Sequence, residues 1–137
     1  DVYKRQVFGG TFNVADDAPL KIIGGEGDRV GSAMASAGDI NFDGHDDLLI
    51  GAAAFDEGLG RALLYYGPLS GTLGPSDADE EWRGEPDEND EESTPGVGSV
   101  VLGGFDLDQK GVDDALIVTP GVNNDSGEIS LILGVGM

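Results

Sequence analysis

Residues 38–55 read GDINFDGHDDLLIGAAAF, an acidic half followed by an apolar one. Its first half places oxygen-bearing side chains two residues apart, at Asp39, Asn41 and Asp43, followed by Gly44 and then Asp47. Alternate residues of a tightly turned loop can aim several oxygens at one point. A hard cation takes about six to eight of them, and Ca2+ is the usual ion. Gly44 stands where the loop turns sharply, because glycine tolerates positive φ. From Leu48 the stretch becomes a continuous apolar run. The spacing predicts a cation loop that feeds directly into a strand.

The same opening pattern begins an EF-hand, which needs a bidentate Glu at loop position twelve and flanking helices. Counted from Asp39, position twelve is Ile50, inside a strand-like run. The spacing closes instead at position nine, Asp47. EF-hands and dockerin-like modules are therefore disfavoured. The ligand set read from the first loop is Asp39, Asn41, Asp43, the backbone carbonyl of His45, and Asp47. The His45 imidazole is an exposed bystander, and Asp46 points to solvent. Three carboxylates against a divalent ion leave one net negative charge, which suits Ca2+; Mg2+ demands stricter geometry and keeps its waters. An isolated Asp/Asn/Gly turn without metal would match the same short motif.

The pattern recurs further along the chain. VGSAMASA (30–37) is matched by VGSVVLGG (97–104), the loop and strand by FDLDQKGVDDALIV (105–118), and RALLYYG (61–67) by EISLILG (128–134). Asp39 and Asp106, Gly44 and Gly111, and Asp47 and Asp114 all stand 67 residues apart. A long internal period signals a solenoid, propeller or array. The second loop offers Asp106, Asp108, the Val112 backbone carbonyl and Asp114, but position five is Lys110. An ammonium cannot ligate a cation and repels one at close range. Either Lys110 swings outward and calcium binds weakly, or its ammonium replaces the ion. The first site is thus expected to be the stronger.

The remaining segments frame these units. Strands are predicted at 20–23, 48–54 and 61–66, with a short outer one anchored by Trp82 at 81–84. The small residues of 30–37 suit a strand in a crowded place, the alternative being a helix that Gly31 and two serines disfavour. The runs at 97–104, 105–118 and 128–133 copy these, and turns fall at 24–28, 56–60 and 121–127. The runs at 48–54 and 61–66 do not alternate, so both of their faces must be covered. Ten acids fall between Asp77 and Glu92, which reads as a solvated loop interrupted by Trp82 and Arg83. Residues 1–6, DVYKRQ, resemble the translation of a sequencing adapter and are set apart as a suspected scar. Both ends look cut, as expected of a fragment of a longer protein.

The 137 residues carry 27 acidic against 7 basic side chains, a formal charge of −20. That excludes the basic surface of a nucleic-acid binder and opposes anionic membrane surfaces. It fits a cation binder, and equally a soluble acidic protein. With no Cys and one His, thiolate and imidazole metal sites are ruled out or disfavoured. No run is long enough for a membrane span.

At these residues the chain resembles the FG-GAP repeat of integrin α-subunit β-propellers and related bacterial repeat proteins. The matches are Val30-Gly31, the loop from Gly38 to Asp47, the strand from Asp47 to Ala53, and Arg61 to Gly67, with a second copy from Val97-Gly98 to Gly134. Neither copy holds a literal Phe-Gly or Gly-Ala-Pro. The resemblance implies an all-β chain, a partial β-propeller whose four-stranded antiparallel blades carry calcium loops between strands one and two. It implies the end of one blade at 7–24, a blade at 30–84, an acidic linker loop at 85–96, and a truncated second blade at 97–137. Small residues at 30–37 fit an innermost strand, where the blades converge. The function implied is structural Ca2+ in an extracellular or cell-surface segment for adhesion or ligand binding. Its partners would be a protein or glycan and the neighbouring blades of the same chain, with neither nucleic acid nor membrane insertion. The alternative is an accessory propeller of a secreted hydrolase, such as a phospholipase D-like enzyme specific for glycosylphosphatidylinositol. The fragment itself offers no catalytic group, because its Ser residues lack a base and its paired carboxylates lack burial. Two blades leave sheet faces unpaired, so the isolated chain is expected to be marginal or to aggregate.

Overall fold

The computed structural model describes residues 18–86, 94–122 and 126–136. The suspected scar at 1–6, most of the segment assigned to a preceding blade, and the centre of the acidic linker lie outside the described residues.

The architecture is all-β. Strands β1 (Leu20–Ile22), β2 (Ala33–Gly38), β3 (Asp47–Ala52), β4 (Arg61–Tyr65), β5 (Gly71–Leu73), β6 (Glu80–Arg83), β7 (Val100–Phe105), β8 (Asp114–Thr119) and β9 (Glu128–Ile132) follow in chain order. Strands β2-β3-β4-β6 form one antiparallel sheet and β7-β8-β9 another. The short β1 and β5 pair in parallel, with Leu20 opposite Gly71 and Ile22 opposite Leu73. The stretch at 56–60 expected as a turn holds a single helical turn, Phe55–Gly58, broken by positive φ at Asp56 and Glu57. No helix among the described residues is long and apolar enough to cross a membrane.

The two larger sheets repeat one plan. Positive φ recurs at equivalent places: Gly31 and Gly98, Phe42 and Gln109, Gly44 and Gly111, Gly60 and Gly127. Both first hairpins slip register at the same point, between Ser36 and Gly38 and between Gly103 and Phe105. Such a bulge bends the strand and turns the chain into the loop that follows.

The sheets pack face to face, β2 against β7. Small residues make this possible. A Cβ on Gly103 would lie 2.7 Å from Ala37 Cα, and one on Gly51 would lie 1.9 Å from the Gly98 carbonyl oxygen. Ala35, Leu49, Ala62, Leu64 and Trp82 of the first sheet meet Val101, Ala115, Ile117 and Ile132 of the second. The first sheet's other face, Leu48, Ile50, Leu63 and Tyr65, is closed by Ile22, Leu69 and Leu73. This explains why β3 and β4 are apolar without alternation: each face has its own cover. Arg61 is the exception within β4. It is buried, paired with Asp28 at 2.7 Å and Glu81 at 3.1 Å, and stacked 3.9 Å from the Phe55 ring centroid.

Candidate metal centres

The hairpins β2–β3 and β7–β8 each enclose one acidic loop. In both loops the position-one aspartate gathers the turn. Asp39 Oδ1 accepts the Asp43 N–H at 2.8 Å and Oδ2 accepts that of Gly44 at 2.8 Å. Asp106 Oδ1 accepts the Lys110 N–H at 3.0 Å and Oδ2 that of Gly111 at 2.7 Å. Position three adds a second acceptor to the same amide, Asn41 Oδ1 to Asp43 at 3.1 Å and Asp108 Oδ1 to Lys110 at 3.2 Å. The fourth residue of each loop, Phe42 or Gln109, takes the left-handed conformation, as does the glycine at position six. This winding puts positions one, three and five on one side of the turn, which is the local reason for spacing the acids by two.

Position nine closes each loop from the strand that follows. Asp47 is 2 % exposed and Asp114 1 %. Asp47 Oδ2 accepts the Ile40 N–H at 3.0 Å, and Oδ1 accepts that of Gly67 at 2.8 Å. Asp114 Oδ2 accepts the Leu107 N–H at 2.7 Å, and Oδ1 that of Gly134 at 2.9 Å. Each carboxylate therefore ties its loop to the chain leaving the third strand of its sheet.

The two carboxyls titrate differently. Burial pushes Asp47 up, with help from the Asp43 charge, against the lowering effect of the Gly67 and Ile40 amides; the net shift is upward. Burial also pushes Asp114 up, but the Gly134, Leu107 and Asp108 amides and the Lys110 charge outweigh it, and the net shift is downward.

In the second loop Asp106, Asp108 and Asp114 each bring a carboxylate oxygen within 4.8 Å of the others. The Lys110 ammonium stands 2.5 Å from Asp108 Oδ2. Pairing with Asp108, and then the charges of Asp114 and Asp106, raises the Lys110 pKa above its ordinary value. Lys110 thus neither swings clear of the acids nor leaves them unneutralised. In the first loop Asp39, Asp43 and Asp47 do not form so tight a trio, and the Asn41 amide is turned to donate to Asp43 Oδ2 at 2.9 Å. His45 is exposed, its N–H bonded to Asp43 Oδ1 at 2.9 Å, whereas Val112 is buried. Asp46 is exposed, as its place in the loop suggested.

The side-chain donors are oxygens, carboxylates in both loops and the Asn41 amide in the first. That is the chemistry a hard divalent cation selects. The first loop carries three carboxylates and no opposing ammonium; the second carries three carboxylates and one. By charge a divalent cation suits the first donor set, which holds no ammonium, whereas by distance the acids are gathered in the second, where Lys110 is paired with Asp108.

The family model of the FG-GAP repeat matches residues 30–65. This segment is an FG-GAP repeat. The match runs from Val30 through the first acidic loop to the end of β4. The second FG-GAP-like unit, 97–134, stands on the internal repeat, whose strands, loop and hydrogen bonds copy the first. Two packed antiparallel sheets with this repeat are consistent with a β-propeller fragment.

Two contributors to the first loop escape the repeat pattern. Asp113 Oδ2 accepts the Asp39 N–H at 3.1 Å, and the Val135 N–H donates to the Ile40 carbonyl at 3.0 Å. Both come from the second unit. Gly67 and Gly134, the partners of the position-nine carboxylates, were also not singled out. Their separation of 67 residues is the signal that could have found them.

Proposed function

We propose that this chain is a calcium-stabilised, non-catalytic segment of a β-propeller in an extracellular or cell-surface protein that serves adhesion or ligand binding. The observation that carries the reading is the copied loop network: the same carboxylate-to-amide bonds recur 67 residues apart around donor sets made of oxygen. Such a loop holds its acids in place before an ion arrives, so the ion relieves repulsion instead of ordering a coil. The ion's role is structural: it neutralises Asp39, Asp43 and Asp47 and stiffens the link between β2 and β3. Calcium outside cells is abundant enough to fill sites of about 10⁻⁴–10⁻³ M affinity, and cytosolic calcium is not. The FG-GAP match and the acidic loops together support this placement.

Calorimetric titration of Ca2+ into the wild-type chain and into Asp43→Ala tests the reading. The wild type is expected to bind with a dissociation constant on the order of 10⁻⁴–10⁻³ M, and the variant to lose that binding. Unchanged binding by Asp43→Ala would show that the first loop is not the site.

A further inference from the structure

The first acidic loop is built from both units. Asp39 and Asn41 supply positions one and three, and Ile40 stands between them. Its N–H is held by Asp47 of its own unit. Its carbonyl is held by Val135 beyond the last strand of the second unit. Its side chain is 3 % exposed and belongs to the core between the two sheets. The Asp39 N–H is in turn capped by the Asp113 carboxylate, 74 residues away in the second unit's loop. The approach is tight: a Cβ on Gly38 would fall 2.4 Å from Asp113 Cγ, and one on Gly134 3.1 Å from the Ile40 carbonyl oxygen. Asp46, the equivalent acid of the first loop, is exposed.

We propose that Asp113 is a positioning residue for the first loop, a latch from the neighbouring unit that completes the cation-binding conformation when the two sheets dock. The acid suits this task. A carboxylate accepting a backbone amide makes a stronger bond than a neutral acceptor, and it fixes the backbone beside ligand positions one and three. Preorganising those positions removes part of the ordering cost a cation would otherwise meet. The first loop is therefore a joint between units, and the position-eight acid of one loop acts on the loop before it. The consequence for calcium rests on the function proposed above; the latch itself does not.

The test uses the whole chain, first without metal. Amide hydrogen exchange at Asp39 is expected to rise about tenfold in Asp113→Ala, the loss of one charge-assisted bond. Asp113→Asn keeps an acceptor and should restore most of the protection, and Asp46→Ala should stay within about twofold of wild type. Amides of Leu49 and Leu64 report whether the core is intact. If Asp113→Ala strips their protection too, Asp113→Ser, which shortens the side chain while keeping it polar, takes its place with the same rise expected at Asp39. Exchange at Asp39 unmoved by these substitutions overturns the latch.

Calcium alone is then titrated into the same chains. Asp113→Ala is expected to weaken binding to the first loop about three- to tenfold, and Asp46→Ala less than about twofold. Equal weakening by both would reduce Asp113 to one more negative charge and overturn the proposal. If the wild type takes up no calcium, the cation reading falls, and the latch is judged on the metal-free exchange.

Discussion

Asp47 reaches 20 residues along the chain to accept the Gly67 amide at 2.8 Å, while its other oxygen holds Ile40. The position-nine acid is thus a fastener of loop, strand and exit turn, quite apart from any ion. Asp114 does the same with Gly134 and Leu107. Removing the Asp47 side chain strands two amides at a buried point, and removing that of Asp114 strands three. Each unsatisfied group costs about 1–3 kcal/mol, so Asp47→Ala and Asp114→Ala should each lose roughly 2–4 kcal/mol. Urea unfolding in excess chelator measures it. A cation ligand with no other duty would leave the metal-free chain unchanged, and that result would sink this account.

In the second loop the Lys110 ammonium is paired with Asp108. Lys110→Asp removes the ammonium from Asp108 and restores an acid at position five. Four carboxylates then face one another, so the variant should be destabilised without metal and regain stability with calcium. Titration calorimetry should resolve a second site, with affinity raised about tenfold or more over the wild-type loop, since an ammonium replaced by a carboxylate reverses the local field. A variant that gains no calcium affinity would show that the loop's backbone, not its charge, limits binding.

Much of this architecture was legible in the chain. The strands at 61–66 and 128–133 fall within one residue of those observed, because glycines bracket each apolar run, and the one at 81–84 does so on the strength of Trp82 among acids. The period of 67 residues carried over to positive φ, bulges and hydrogen bonds, since each follows from local sequence. β5 was not read, because GTL has neither length nor alternation to mark it. Asp113 was not read either. Its duty lies across an interface, and spacing along one chain segment cannot show that the loop at 39–47 is finished by residues 74 and more positions away. For the same reason the relative compactness of the two acid clusters was not visible: it depends on how each carboxylate is shared with backbone amides and, in the second loop, with Lys110.

Glu81, held by Arg83 and Arg61, supplies a pH-dependent part of the stability. Burial alone would raise the Glu81 carboxyl, but bonds from Arg83 and Arg61 outweigh it and hold it below the ordinary glutamate range. The folded chain therefore binds this proton less tightly than the unfolded chain. The contribution is fully present above the unfolded value and is lost as pH falls through the lowered folded one. Glu81→Gln should cost about 1 kcal/mol near neutral pH, because the group is partly exposed, and the difference from wild type should shrink as pH falls from roughly 6 to 3. Arg61→Met removes the partner of both Asp28 and Glu81 and should cost about 3 kcal/mol, the low end for breaking a buried pair. Denaturant midpoints across pH check both. A Glu81→Gln deficit that grows on acidification would reverse the sign argued here.

The second sheet carries an uncovered apolar face. Val100, Leu102, Ile129 and Leu131 are exposed on it, with Leu116 and Val118 half-buried between them. The pairing aligns them as Val100–Val118–Ile129 and Leu102–Leu116–Leu131 across three strands. The matching face of the first sheet, through Ala35, Leu49, Ala62 and Leu64, is the one that receives the second sheet. A contiguous branched-apolar face of this kind drives association when nothing covers it, and β9 adds an unpaired edge among the described strands. The chain should therefore self-associate as its concentration rises, despite its charge of −20. Ile129→Lys combined with Leu131→Glu places opposite charges on that face without touching the core between the sheets. It should restore a monomer in sedimentation velocity and shift unfolding by no more than about 0.5 kcal/mol, as surface changes do. A wild-type chain that stays monomeric at high concentration and unfolds in one sharp transition would mean that the face is tolerated in water.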